Sequence, residues 1–309
     1  MFKRRTTRKN LGQDSRVSAA REALSLNHDE DTGLEACFKD LSNDPILEQV
    51  PEHEREEALG NTLELYREAR DKVAPVIAGF ADALLTEAGG SQIIFAARDG
   101  IGALEASRVL VERFPEYYSE TNQDNLIYAF LTRKVVRNSS LDQLRSYLAQ
   151  CGVKSLDEPV YLADIGMYGT ILHDMQQILP NVQPRYLISR NHRVPGYADN
   201  EQDVRLQSLS SIIGNSAIHF LEDTFSGITS SASQLIEYPD LTIKPNIKTD
   251  AYPPSELLKR KYALRAIVDY TVSLSRPPQQ ANKHEQLTVL DEFLANAENY
   301  RHLMVPHIR

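Results

Sequence analysis

Two cysteines in 309 residues, Cys37 and Cys151, are too few for a disulfide framework and too far apart for a Cys-x-x-Cys metal site. That usage points to a reducing compartment, the cytoplasm. Long apolar runs are missing too. None approaches the roughly 20 residues that span a bilayer, and the first residues lack the apolar stretch of a secretory leader. Basic residues are outnumbered, 34 Lys and Arg against 43 Asp and Glu, for a net charge of −9. This balance excludes a general nucleic-acid binder, which needs a broad basic face. No Gly-x-Ser-x-Gly elbow and no Gly-Lys-Ser/Thr phosphate loop occurs, so hydrolase and P-loop readings fall. His173, His192 and His219 have no metal-ligand spacing and read as structural or surface residues.

What remains is ordinary globular material, 41% apolar and 25% charged, enough to bury a full core. Residues 1–50 read as a basic and then acidic arm, partly disordered, with six basic side chains in the first sixteen residues and NHDEDTGLE after them. The basic part fits a solvated tail. It also fits contact with an anionic membrane surface, at roughly 1 kcal/mol per residue close to it.

Residues 51–90 form a helical segment. Leu59, Leu63, Tyr66, Val73, Ile77, Phe80 and Leu84 recur at three- to four-residue spacing, Pro75 should kink or split the run, and Ala88-Gly89-Gly90 should stop it. Residues 91–238 then alternate between strand and helix. The predicted strands are 91–97, 125–131, 159–163 and 184–190, with helices at 101–114, 140–152 and 171–179. That order predicts an open α/β fold on a mainly parallel sheet, with helical N-terminal and C-terminal additions. Residues 226–234 read as a polar loop, and the four prolines between Tyr238 and Pro254 as an extended connection. Residues 239–309 are therefore a linker followed by helices at 256–274 and 284–303.

In open α/β sheets, ligands bind beyond the carboxyl ends of the strands. Three such positions are unusual here: Ala97-Arg98-Asp99-Gly100-Ile101-Gly102, Thr132-Arg133-Lys134, and Asp164-Ile165-Gly166-Met167-Tyr168-Gly169-Thr170. Gly100 and Gly102 allow backbone N–H groups to approach an anion at a helix start. Arg98, Arg133 and Lys134 add charge-assisted hydrogen bonds, while Gly166, Gly169 and the Thr170 hydroxyl make a second anion nest. Asp164 opposes a phosphate, so it fits sugar hydroxyls or a Mg²⁺ that bridges oxygens. Taken singly, each triplet also fits a plain turn, a solvated basic pair or a helix-capping aspartate. Taken together they describe a site for a phosphorylated sugar.

This ordered set resembles the type I phosphoribosyltransferase superfamily. There an apolar strand, a pair of acids and a glycine-threonine closure cradle the 5-phosphate and ribose. Asp164 to Thr170 matches that spacing, with Ala163 in place of the first acid, a departure that speaks against the base or nucleoside enzymes. Arg98-Asp99-Gly100 resembles the pyrophosphate loop, and Thr132-Arg133-Lys134 resembles the basic stretch opening a flexible catalytic loop. A closer likeness, over residues 91–235, is to the ribofuranosyltransferase modules of bacterial capsule and O-antigen synthesis. These move phosphoribose from phosphoribosyl pyrophosphate to a glycan and stand beside HAD-type phosphatases, which remove the 5-phosphate.

The resemblance implies Mg²⁺ held with the help of Asp99 and a ribose and 5-phosphate cradle of Asp164, Gly166, Tyr168, Gly169 and Thr170. It also implies that Arg133 and Lys134 close as a lid, and that Glu222 or Asp223 orients or deprotonates an acceptor hydroxyl. No predicted strand ends in the Asp-x-Asp start of a HAD-type phosphatase, so dephosphorylation implies a separate partner. Two alternatives stand beside it: a non-catalytic phosphoribosyl-binding regulator, which Ala163 permits, and a base or nucleoside phosphoribosyltransferase, for which the acid pair is expected. An oligomer is compatible with the long N-terminal helix.

Overall fold

The structure is a computed structural model that describes residues 32–97, 100–155, 157–167, 170–189, 221, 232–247, 252–278, 283–295 and 303. It opens with helices α1 (Thr32–Ser42) and α2 (Pro45–Gln49) and a 3₁₀ turn at Glu52–Glu54. Part of the expected N-terminal arm is therefore ordered helix, because Leu34, Cys37, Leu41, Leu47 and Val50 are all buried. Burial pushes the Cys37 thiol up to about 12, so it is an inert core residue.

Helices α3 (Arg55–Glu68) and α4 (Ala74–Ala88) are joined by a single π turn, Ala69–Val73. Pro75 explains this join. It has no N–H to donate and its ring crowds the preceding turn, and one wide turn absorbs both effects. Gly89, at φ +51°, caps α4 in the left-handed conformation as the Gly-Gly stop predicts.

Strands β1 (Gln92–Ala96), β2 (Leu126–Ala129), β3 (Val160–Met167) and β4 (Val182–Ser189) form one sheet, all parallel, in the order β2-β1-β3-β4. Helix α5 (Ile101–Arg113) links β1 to β2. Helices α6 (Arg133–Asn138) and α7 (Leu141–Gln150) link β2 to β3, and α8 (Thr170–Gln176) links β3 to β4. Ser140 caps α7 through a reciprocal capping box with Gln143.

The strands read as continuous apolar runs because both faces are covered. Ile93, Phe95, Leu126, Tyr161, Ala163 and Leu187 face one core; Ile94, Ala96, Ile127, Ala129, Val160, Leu162 and Val182 face the other. The first core is filled by α3, α4, α5 and the long helix α9 (Pro254–Ser273), with Leu287 and Leu290 of α10 (Lys283–Ala295). The expected N- and C-terminal additions thus form one helical layer on the sheet.

The second core holds α6, α7 and α8 together with a hairpin, β5 (Ala232–Glu237) and β6 (Ile243–Ile247). This hairpin takes in the end of the predicted polar loop, 232–234, and part of the predicted extended connection, while 226–231 and 248–251 lie outside the described residues. Its outer edge is satisfied by side chains: Thr132 Oγ1 donates to the Ala232 carbonyl at 2.8 Å, Asn138 Nδ2 to that of Ser233 at 3.0 Å, and the Leu235 N–H donates to Ser139 Oγ at 3.2 Å. At the tip, Gln150 accepts from the Ile243 N–H and donates to the Leu241 carbonyl. Pairings of this kind link positions about a hundred residues apart, so local pattern does not reveal them.

Asp44 fastens the N-terminal helices to α9. Almost fully buried, it caps α2 by accepting from the Ile46 N–H at 2.9 Å, and it accepts from Lys261 Nζ at 2.6 Å and Tyr262 Oη at 3.2 Å. Burial pushes its pKa up, but the bonds from Lys261, Ile46 and Tyr262 outweigh this and hold it below the ordinary 3.8. Asp44→Ala is expected to cost about 2–4 kcal/mol at pH 7, measured by urea unfolding. Because the folded pKa is depressed, this contribution is full above about pH 4 and is lost as the pH falls through the folded value. The gap between wild type and variant should therefore close in acid.

Candidate functional site at the carboxyl edge of the sheet

The chain leaves β1 toward β2 on one side and reaches β4 from β3 on the other, so the sheet reverses its winding between β1 and β3. At such a switch point the two connecting loops run in opposite directions and leave a crevice. The β1–β3 ladder ends at Phe95↔Ala163. Past it, Ala96 pairs with Ala129 and Asp164 pairs with Tyr186.

On the β1 side the turn folds back on its own strand. The Gly100 N–H donates to the Ala96 carbonyl at 2.8 Å, and a Cβ on Gly100 would lie 2.8 Å from that same oxygen. Gly100 is at φ −78°, so what it supplies is close approach, not an unusual backbone angle. Its own amide is donated within the turn. Gly102 faces the helical layer, where a Cβ would lie 2.9 Å from Ile267 Cδ1; it permits α5 to pack on α9. Arg98 and Asp99 lie outside the described residues.

On the β3 side the strand does not stop at Ala163. It continues as Asp164-Ile165-Gly166-Met167 because β4 extends with it, Gly166↔Ile188 and Met167↔Ser189. Asp164 is thus three residues inside the strand end, half-buried, and by alternation faces the α6–α8 layer. Helix α8 begins at Thr170, where the glycine-threonine closure predicts a helix start. Tyr168 and Gly169 lie outside the described residues. Ala163 is fully buried and packs in the opposite core, beside the helical layer. An acid at that position would be driven into apolar packing.

The basic pair expected to close as a lid opens a short helix. Arg133 and Lys134 occupy the first turn of α6, and both are exposed. Thr132 caps that turn by accepting from the Val135 N–H at 3.1 Å, while the same hydroxyl donates to β5. At the far end Arg137 pairs with Asp174 of α8 at 2.9 Å. These contacts place the pair at the start of a capped helix on the sheet edge. Thr132→Val is expected to lower stability by about 1–2 kcal/mol in urea unfolding, and Thr132→Ser to restore it, because serine keeps both bonds.

Tyr186 is the residue that sequence reasoning misses. Within PRYLISR it reads as one more strand residue, and only the register sets it beside Asp164. It is 2% exposed, and its hydroxyl has no hydrogen-bond partner among the described residues. Burial, and then the Asp164 charge, push its pKa up, so the phenol stays a donor. The acceptor-orienting candidates Glu222 and Asp223 lie outside the described residues; the preceding Leu221 is buried in the helix-side core.

Among the described residues no group of three or more His, Cys, Asp or Glu stands together to hold a metal. Mg²⁺ is commonly held by one or two carboxylates, waters and substrate phosphates rather than by an all-protein cage. A cation that arrives on pyrophosphate oxygens and keeps its waters needs no such cage. Among the same residues no helix is long and apolar enough to cross a membrane. Comparison of the chain with protein-family models, curated proteins and solved structures finds no match.

Proposed function

We propose that this chain is a phosphoribosyltransferase-type glycosyltransferase, moving 5-phosphoribose from phosphoribosyl pyrophosphate to a hydroxyl of a glycan and releasing pyrophosphate. The observation that carries the reading is the strand order. The Ala97–Gly100 turn follows β1 and the Asp164–Thr170 segment forms the carboxyl end of β3 and the start of the next helix, and these two strands, whose flanking segments were chosen from sequence for anion and sugar binding, flank the switch point.

In this reading Asp164 accepts hydrogen bonds from ribose hydroxyls, and the segment from Gly166 through Tyr168 and Gly169 to Thr170 receives the 5-phosphate. Arg98, Arg133 and Lys134 offset the charge that grows on departing pyrophosphate. Mg²⁺, when bound with the help of Asp99, supplies further neutralisation. The bond from the anomeric carbon to pyrophosphate breaks, the acceptor oxygen bonds to that carbon, and the acceptor proton passes to Glu222, with Asp223 orienting the hydroxyl. A separate HAD-type phosphatase would then remove the 5-phosphate.

A second reading, a phosphoribosyl-binding regulator without turnover, is favoured by the buried Ala163, which leaves Asp164 alone where the family uses two acids. Phosphorus NMR of phosphoribosyl pyrophosphate with enzyme, Mg²⁺ and a panel of sugar acceptors separates the two. Free pyrophosphate appearing with an acceptor-dependent phosphoribosyl signal supports transfer. A bound but uncleaved donor with every acceptor supports the regulator.

A further inference from the structure

Most polar groups in a folded chain's interior are paired, and one that is not calls for a reason. Tyr186 is such a group, and its direction follows from its neighbours. Arg185 points to the helical face: it pairs with Glu87, with Nε 2.6 Å from the carboxylate, and its guanidinium lies 5.1 Å from the Tyr161 ring centre. Leu187 packs in the core on that same face. Tyr186, between them, must point to the other face. Asp164 does likewise, since Leu162 lies in the opposite core and Ala163 in the helical one. The two are register partners on adjacent strands, so their side chains leave the sheet side by side, and the Asp164 charge acts on the phenol.

A hydrogen-bond donor next to a carboxylate acceptor is poorly suited to phosphate, which the carboxylate repels. It suits a pair of hydroxyls, one accepting from the phenol and the other donating to the carboxylate. We propose that Tyr186 and Asp164 together form a two-point seat for neighbouring hydroxyls of a furanose, with Tyr186 supplying the contact for which the chain has no acid at position 163. The seat rests on the phosphoribosyl reading and names its ribose-recognition residue. Solvent reaches Asp164 but barely touches Tyr186. A ligand therefore meets the carboxylate first and the phenol behind it.

Tyr186→Phe removes one oxygen and keeps the ring. The test is calorimetric titration of the full chain, wild type and variant, with ribose 5-phosphate and with inorganic pyrophosphate in Mg²⁺, alongside thermal melts. The seat predicts about tenfold weaker ribose 5-phosphate binding in the variant, unchanged pyrophosphate binding, and a melting temperature equal to or above that of wild type. Equal ribose 5-phosphate affinity in the two proteins overturns the seat and leaves the phosphoribosyl reading standing. A lowered melting temperature shows that the hydroxyl has an internal partner, and overturns the seat as well. A wild type that binds no ribose 5-phosphate overturns the seat and the reading together.

Discussion

Asp164→Asn is expected to weaken phosphoribosyl pyrophosphate binding by roughly a hundredfold and to leave the fold intact. The carboxylate is the only acid the 160–167 strand presents at the carboxyl edge, and it is half-buried on the face that also carries Tyr186. As an acceptor for two sugar hydroxyls it makes charge-assisted bonds of about 1.5–3 kcal/mol each. Asparagine keeps the shape, turns one acceptor oxygen into a donor and removes the charge. A loss near 3 kcal/mol corresponds to that hundredfold change. The pair to measure is the dissociation constant by calorimetry and the melting temperature by scanning calorimetry. A variant that binds as tightly as wild type would remove Asp164 from the site.

The second large effect concerns Gly100. An alanine Cβ there would sit 2.8 Å from the Ala96 carbonyl oxygen and 3.0 Å from the Ala96 nitrogen, both backbone atoms of β1 that cannot rotate away. Gly100→Ala is therefore expected to cost about 2–3 kcal/mol and to displace the turn that carries Arg98 and Asp99. Gly60 provides the contrast. It lies inside α3 with nothing within 4 Å of an added Cβ. Gly60→Ala should stabilise by about 0.5–1 kcal/mol through helix propensity alone. Urea unfolding of the two variants should therefore move in opposite directions. If Gly100→Ala unfolds like wild type, the turn is looser than the contact to Ala96 implies.

What could be read along the chain was what local physics decides. Four parallel strands, covered on both faces, appear as short apolar runs between amphipathic helices. Ser140 with Gln143, Gly89 and Pro75 mark helix ends through their own backbone chemistry. What escaped depends on distant partners. The hairpin has Pro245 within β6, and β5 sets only Ala232, Leu235 and Ile236 among Ser233, Gln234 and Glu237, without strict alternation, so neither strand shows the usual signature. Thr132, Asn138, Ser139 and Gln150 supply its missing hydrogen bonds. Asp164 read as a strand terminus because the apolar run ends before it, yet pairing with β4 carries the strand on to Met167.

The candidate site divides in the same way. The acid, the glycines and the basic pair stand out by residue type, and the crevice that gathers their strands emerges only from the order β2-β1-β3-β4. Gly100 was legible as a necessary glycine but not for its reason, the contact with Ala96. Tyr186 carries no mark in the sequence at all, since its interest lies in one oxygen without a partner among the described residues.

The most direct measurement is a calorimetric titration of the whole chain with phosphoribosyl pyrophosphate in the presence of Mg²⁺. One saturable site per chain, weakened in Asp164→Asn, is the result expected if the crevice between β1 and β3 holds a phosphoribosyl group. Heats no different from dilution, in wild type at saturating Mg²⁺, would contradict it.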